Sequence, residues 1–102
     1  KPVDGEQLVR AINAALDSAR TKRAAEEEVA ELRKRLDLLT PRQREVFEYV
    51  IAGKMNKNIA AELGTGEQTV KIHRRRVMRK MGVKSLAELV RSAERLGIEP
   101  AG

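Results

Sequence analysis

The chain has 102 residues, of which 21 are Lys or Arg and 15 are Asp or Glu, with one His and no Cys or Trp. This length corresponds to one domain or less. The absence of cysteine excludes disulfide scaffolds, thiolate zinc sites and thiol catalysis, and two aromatic residues are too few for a base-stacking RNA-recognition sheet. No apolar run is long enough for a membrane span or a secretory signal. The charged fraction of 35% favours a helix-rich, cytoplasmic chain.

The net charge of +6 comes entirely from the C-terminal part of the chain. Residues 1–39 contain eight basic and eight acidic side chains, whereas residues 40–102 contain thirteen basic and seven acidic ones. One stretch there carries seven positive charges with no acid between them: Lys71, Arg74, Arg75, Arg76, Arg79, Lys80 and Lys84. Solvated helix faces usually mix both signs, so this one-sided run indicates a polyanionic partner.

The N-terminal part predicts one long helix or two helices joined end to end, because no Gly or Pro occurs between Glu6 and Thr40. Asp4, followed by Gln7, supplies a cap. The first half carries a broad apolar stripe of Leu8, Ile12, Ala15, Leu16 and Ala19. The second half carries a narrow seam with coiled-coil spacing, formed by Ala25, Val29, Leu32, Leu36 and Leu39. We expect this seam to be exposed in a monomer and covered by a second copy of the chain.

Four shorter helices follow, and each has its own start and stop signals. Each helix begins with a capping residue or with a polar first turn, and a glycine follows its last residue. The predicted signals are Thr40 with Pro41 and Gln43, then Gly53; Asn56, then Gly64; Glu67 to Met81, then Gly82; and Ser85 with Glu88, then Gly97. No strand pattern and no internal repeat is found.

The short helix, the three-residue turn from Gly64 to Gly66 and the basic helix after it are the parts of a helix-turn-helix. The small side chain of Ala60 allows the two helices to approach closely, Gly64 can adopt the positive φ of a sharp turn, and Val70 fills the corner. The expected fold class is therefore all-α, with a long N-terminal linker helix followed by a four-helix helix-turn-helix domain.

The basic helix separates into a buried edge and a charged face when it is turned by about 100° per residue. Val70, Val77 and Met81 share the buried edge, and the opposite arc holds Gln68, Lys71, Ile72, Arg75 and Arg79. An exposed Ile72 suits a thymine methyl group, with Lys71 and Arg75 reaching guanine edges in the major groove. Flanking positions suited to phosphates are Thr69, His73, Arg76 and Lys80, and Arg74 lies near the buried edge with its head in water.

From Leu39 onward the residues resemble the LuxR/NarL-type DNA-binding domain, in particular that of FixJ-like response regulators. The motifs that carry the resemblance within residues 39–97 are Leu39-Thr40-Pro41-Arg42, Arg44-Glu45-Val46, Ala52-Gly53, Asn56-Lys57-Asn58-Ile59-Ala60, Thr69-Val70-Lys71, His73, Val77-Met78 and Lys80-Met81-Gly82-Val83-Lys84-Ser85.

The resemblance implies a recognition helix at about 67–81, base contacts from Lys71, Ile72 and Arg75, and phosphate contacts near Lys57 and Thr69. It also implies that the last helix can form a dimer contact. Two positions depart from the family pattern: Thr65 stands where an apolar residue is usual, and Gly66 where Ser usually caps the recognition helix. We therefore expect a looser turn and a weaker cap.

Lys1-Pro2, followed by an amphipathic helix, resembles the end of a receiver domain. This predicts a receiver remnant at residues 1–19, a linker or coiled-coil helix at 20–39 and the DNA-binding domain at 40–102. The receiver and its phospho-accepting Asp would lie upstream of this chain. We expect the output domain of a two-component transcriptional response regulator, with promoter DNA, a second copy of the chain and RNA polymerase as partners.

Two other functions fit parts of the sequence. A helical oligomerisation or scaffold module would use the long helix, but the seven positive charges argue against it. A domain similar to region four of a bacterial sigma factor would also bind DNA, but the stretch 80–85 and the receiver-like start favour the regulator. No Gly-rich phosphate loop or HExxH motif occurs, and His73 has no neighbouring acid, so we expect no enzymatic activity, no metal and no cofactor.

Overall fold

The computed structural model describes residues 5–101, with side chains from Ser18 onward. Five α-helices and no strand occur in this range. They are α1 (Gly5–Asp37), α2 (Pro41–Ile51), α3 (Asn56–Leu63), α4 (Glu67–Met81) and α5 (Leu86–Leu96). The predicted all-α class, with a long first helix before a helix-turn-helix, is confirmed. Lys1-Pro2, the Asp4 cap and the side chains of the stripe before Ala19 lie outside the described part.

The chain divides into two compact units, residues 1–30 and residues 31–102. The last two turns of α1 thus belong to the same unit as α2 to α5. No helix within residues 5–101 is both long and apolar enough to cross a membrane. The predicted boundaries after residues 19 and 39 stay predictions.

The core of the second unit lies between α2, α3, α4 and α5. Helix α2 packs against each of the other three, and α3 also packs against α4. The largest side chains with almost no exposure are Val46, Phe47, Val50, Ile59, Val70, Val77, Met81 and Leu89. Full burial of such side chains stabilises a fold by roughly 1.5–3 kcal/mol each, so these positions fix the mutual arrangement of the four helices.

The capping box at the start of α2 is confirmed. The Gln43 N–H donates to Thr40 Oγ1 at 3.2 Å, and the Thr40 N–H donates to Gln43 Oε1 at 3.1 Å. At α5 the predicted box is only half formed, because the Glu88 N–H donates to Ser85 Oγ at 3.2 Å while the Glu88 carboxylate accepts from the Lys84 N–H at 2.7 Å. A complete capping box would have the Glu88 carboxylate accept from the Ser85 N–H, but here it accepts from the N–H of the preceding residue, Lys84.

The predicted cap at Asn56 is wrong. Asn56 is the first residue of α3, and Met55, with extended backbone, occupies the N-cap without a side-chain hydrogen bond. The Asn56 Oδ1 atom instead accepts a hydrogen bond from Arg74 Nη1 at 3.3 Å. A contact between α3 and α4 has therefore replaced the local cap, and the head of Arg74 is bound to protein, contrary to the expectation that it lies in water.

The expectation that the whole α1 seam is exposed is wrong at Leu36, which is only 5% exposed. Leu32 and Leu39 are half-buried. Leu32 and Arg35, on the turn beside Leu36, line one wall of a cleft whose other residues include Met81, Gly82 and Val83. This part of α1 therefore lies next to the end of α4, which is distant in sequence. The last turns of α1 are thus part of the packed unit, whereas Ala25 is exposed and Val29 half-buried in the first unit.

Candidate nucleic-acid interface

The turn between α3 and α4 is closed by backbone hydrogen bonds. Gly64 caps α3 in the left-handed conformation, with φ 65° and ψ 36°, as predicted for a sharp turn. The Thr65 N–H donates to the Ala60 carbonyl at 3.0 Å. Gly66 then occupies the N-cap of α4 with φ −81° and no side-chain hydrogen bond, which confirms that this helix lacks the usual hydroxyl cap.

Helix α4 is buried along one edge and exposed along the other. Val70 and Val77 are completely buried and Met81 is 1% exposed, so the predicted inner edge is confirmed. The exposed side chains are Glu67, Gln68, Thr69, Lys71, Ile72, Arg75, Arg76 and Arg79. Seven of them, all except Glu67, together with exposed Lys57 in the first turn of α3, form what we call the basic face. Ile72 is 47% exposed in the middle of this face.

Among the described residues, the positive charges of the basic face have no acidic partners. Within the described part of the chain, no ion pair or hydrogen bond involves the side chains of Lys57, Lys71, Arg75, Arg76 or Arg79. The cations of α2 and the following loop are paired, by contrast: Arg42 with Glu45 at 3.1 Å, Arg44 with Glu48 at 3.6 Å and Lys54 with Glu62 at 3.5 Å. Unpaired guanidinium and ammonium groups on one surface attract a polyanion.

His73 and Lys80 differ from the rest of the predicted contacts. The His73 side chain is half-buried, and its Nδ1 atom is buried without a hydrogen-bond partner in the described structure. Lys80 is also half-buried, and its Nζ atom donates to the Leu38 carbonyl at 2.9 Å and to Gln43 Oε1 at 2.6 Å. The ammonium group is thus held by two protein acceptors, and the predicted phosphate contact of Lys80 stays a prediction.

A cleft of about 390 Å³ lies beside the basic face and is lined by Thr40, Gln43, Arg76, Arg79 and Lys80. Its walls carry the charges of α4 and the capped start of α2. No group of three or more His, Asp or Glu side chains in the described residues is arranged to hold a metal ion. The side chains of this surface can bind anions and can contact flat or apolar base edges.

Sequence comparison places this surface in a known context. Residues 37–93 match the family described as "Bacterial regulatory proteins, luxR family". The chain belongs to this family. The matched LuxR-family segment contains α2, α3, α4 and most of α5, and therefore the complete helix-turn-helix.

Relatives of the chain include response regulators. Nodulation protein W of Bradyrhizobium diazoefficiens is 46% identical over 98 residues, which are 96% of this chain and 43% of that protein. The response regulator StyR superposes with a TM-score of 0.77 at 41% identity, covering 93% of this chain and 48% of the other. Full-length FixJ from B. japonicum gives a TM-score of 0.69 at 38% identity, covering 95% and 48%. The chain thus spans about half the length of these relatives.

The comparisons confirm the predicted resemblance to the LuxR-type domain of FixJ-like regulators. They also favour the helix-turn-helix domain of a transcriptional regulator over a helical scaffold, because the family match covers α2 to α4 and not most of the long α1 helix. The sigma-factor alternative is likewise disfavoured.

Proposed function

We propose that the chain binds double-stranded DNA by inserting α4 into the major groove. The observation that carries the proposal is the basic face, whose cations are exposed and unpaired while those of α2 are neutralised by neighbouring acids. A protein helix fits the major groove, where each base pair presents a distinct pattern of donors, acceptors and methyl groups. The buried edge of α4 holds the helix rigidly in the core while the opposite face enters the groove.

Within the basic face we assign base reading to the centre and phosphate binding to the sides. Lys71 and Arg75 would donate to guanine edges, and Ile72 would contact a thymine methyl group, with Gln68 and Arg79 on the same arc. Lys57, Thr69 and Arg76, with the half-buried His73, would bind phosphates and set the position of the helix on the duplex. Of these four residues only His73 is half-buried, so its side chain extends least from the surface.

We further propose that the intact protein is a two-component response regulator acting in the cytoplasm, where its promoter DNA is located. StyR is described as a response regulator, and this chain covers only about half of StyR and of nodulation protein W. Both observations support an upstream receiver domain. Two copies would bind an inverted-repeat site, since two-fold symmetry in a dimer favours half-sites about one helical turn apart. RNA polymerase would be the further partner of such a regulator.

The test of base reading compares Arg75→Ala with Lys57→Ala on a duplex selected from a random library and on an unselected duplex. Arg75→Ala should lose about 1–3 kcal/mol on the selected duplex and relax the preference at one base pair. Lys57→Ala should weaken both duplexes alike and reduce the salt dependence of log K by about 0.9. Fluorescence anisotropy at several salt concentrations measures both effects. Equal losses on both duplexes for Arg75→Ala would remove this residue from base reading.

A further inference from the structure

The end of α1 carries backbone acceptors that need partners. The Leu38 and Leu39 N–H groups donate to the Arg35 and Leu36 carbonyls, both at 3.0 Å, which tightens the last turn. The carbonyl of Leu38 lies just beyond this turn and accepts from Lys80 Nζ at 2.9 Å. A cation at this end also stabilises the negative pole of the helix dipole.

The same ammonium group reaches the start of α2 through Gln43. This side chain is 3% exposed, and its Oε1 atom accepts from both the Thr40 N–H at 3.1 Å and Lys80 Nζ at 2.6 Å. We call the set of Leu38, Thr40, Gln43 and Lys80 the lysine clasp. It joins three elements: the end of α1, the capping box of α2 and the last turn of α4.

The backbone that carries Lys80 is rigidly placed. Lys80 precedes Met81, which is 1% exposed, and follows the completely buried Val77 by three residues. A second contact between α1 and the end of α4 lies close by. The guanidinium group of Arg35 lies directly on Gly82, where a Cβ atom would be only 2.6 Å from Arg35 Nη1. Leu36, on the same turn of α1, is buried.

We propose that Lys80 is a positioning residue which fixes the end of the linker helix and the start of α2 to the recognition helix, and that it makes no phosphate contact. The proposal rests on the DNA binding proposed above and deepens it. Arg76, one helical turn before Lys80, has no partner within the described residues and is available for the DNA backbone. Through the lysine clasp, a change in the position of the last turn of α1 would alter the position of α4, the helix proposed to read the bases.

The decisive measurement separates the two roles by salt dependence. Each phosphate contact contributes about 0.9 to the slope of log K against log salt concentration. Lys80→Met should weaken binding to a random-sequence 30-base-pair duplex about tenfold without changing that slope. The matched control Arg76→Met, one helical turn earlier and exposed, should reduce the slope by about 0.9. A slope reduction of about 0.9 in Lys80→Met would overturn the proposal.

Amide hydrogen exchange provides a second readout that does not depend on DNA. In Lys80→Met the Leu39 and Thr40 amides should exchange at least tenfold faster, while the Leu89 amide keeps its protection. A merely structural role would lower protection at all three amides. Arg76→Met should leave the exchange of all three amides unchanged. If wild type fails to bind DNA, the proposed function fails, and the exchange pattern still decides the clasp: unchanged Leu39 and Thr40 exchange would overturn it.

Gln43→Glu tests the clasp with a variant expected to fold, because its carboxylate makes a charge-assisted hydrogen bond to the ammonium group. We expect slower exchange at Leu39 and Thr40 and an unchanged salt slope. Were Lys80 a phosphate contact, the new carboxylate would neutralise it and lower the slope by about 0.9. That result would overturn the proposal even where Lys80→Met does not fold.

Discussion

Helix α4 and the segment of α1 from Ser18 to Ala30 differ in how their apolar residues are covered. The apolar edge of α4 is buried by its own chain, with Val70 and Val77 completely inaccessible. In the α1 segment every side chain is exposed except Val29, which is half-buried. A helix in water gains most of its stability from packing an apolar face. The chain itself covers that face in α4, whereas in the α1 segment only Val29 is partly covered.

The difference in burial between α4 and the α1 segment is matched by a difference in charge. The inner edge of α4 supplies enough burial to hold the helix, and its outer face can therefore carry unpaired cations at the cost of some self-repulsion. The α1 segment has no such edge, and its charges are mixed in sign. The outer face of α4 is therefore suited to a polyanion, and the α1 segment is not.

The largest expected effect comes from removing the centre of the packed unit. Phe47 is completely buried, so Phe47→Ala should lower the free energy of unfolding by about 3–5 kcal/mol. The matched control Lys22→Ala, in the exposed part of α1, should change it by less than about 0.5 kcal/mol. Urea unfolding followed by circular dichroism measures both. Comparable losses for the two variants would show that the α1 segment is packed as tightly as the core.

The next effect tests whether a second copy covers the α1 segment. Val29→Glu should shift the chain toward monomer and weaken binding to a duplex with two half-sites at least tenfold, about 1.4 kcal/mol. Binding to a single half-site should not change. Val29 is a sharper choice than Leu32 or Leu36, because those two residues are partly or fully covered within the second unit.

Ala24→Glu is the control for this variant, since residue 24 lies on the other side of the helix from Val29 and is exposed. It should leave both the mass in analytical ultracentrifugation and the two-site affinity unchanged. Identical masses for wild type and Val29→Glu would assign dimerisation to α5 or to the intact receiver-containing protein.

The elements of the packed unit were predictable from sequence because their signals are local. Thr40 and Gln43 form the predicted capping box, and Gly64 adopts the predicted positive φ. The buried edge of α4 follows from helical periodicity alone. These features depend on residues within one or two turns of each other, so no knowledge of tertiary packing is needed.

Side-chain contacts between residues distant in sequence were not predictable. Asn56 has a suitable side chain for a cap, yet it binds Arg74, 18 residues away. Lys80 lies on the same helix as the unpaired Arg76 and Arg79, yet the acceptors of its ammonium group lie 37 and 42 residues away. Helical periodicity assigns a side chain to a face of its own helix but does not show which other element covers that face.

The smallest effect tests the N-cap of α4, where Gly66 has no side chain to accept a hydrogen bond. Gly66 has φ −81° and ψ 153°, which any residue can adopt, and a Cβ atom there would meet only Thr69 Oγ1 at 4.0 Å. Gly66→Ser should therefore raise the free energy of unfolding by a few tenths of a kcal/mol, because the added hydroxyl can accept from an unpaired N–H of the first turn. For a unit of this size the melting temperature should rise by about 1–3 °C.

Gly64→Ser, two residues earlier in the same turn, is the matched control with the opposite sign. Gly64 has φ 65°, and a residue with a side chain pays roughly 1–2 kcal/mol in this conformation. Thermal unfolding of both variants therefore separates the chemistry of the cap from the space around it, since neither position is crowded. A fall in melting temperature for Gly66→Ser would show that the turn requires glycine at both positions, and that the recognition helix is anchored by its C-terminal contacts and not by its start.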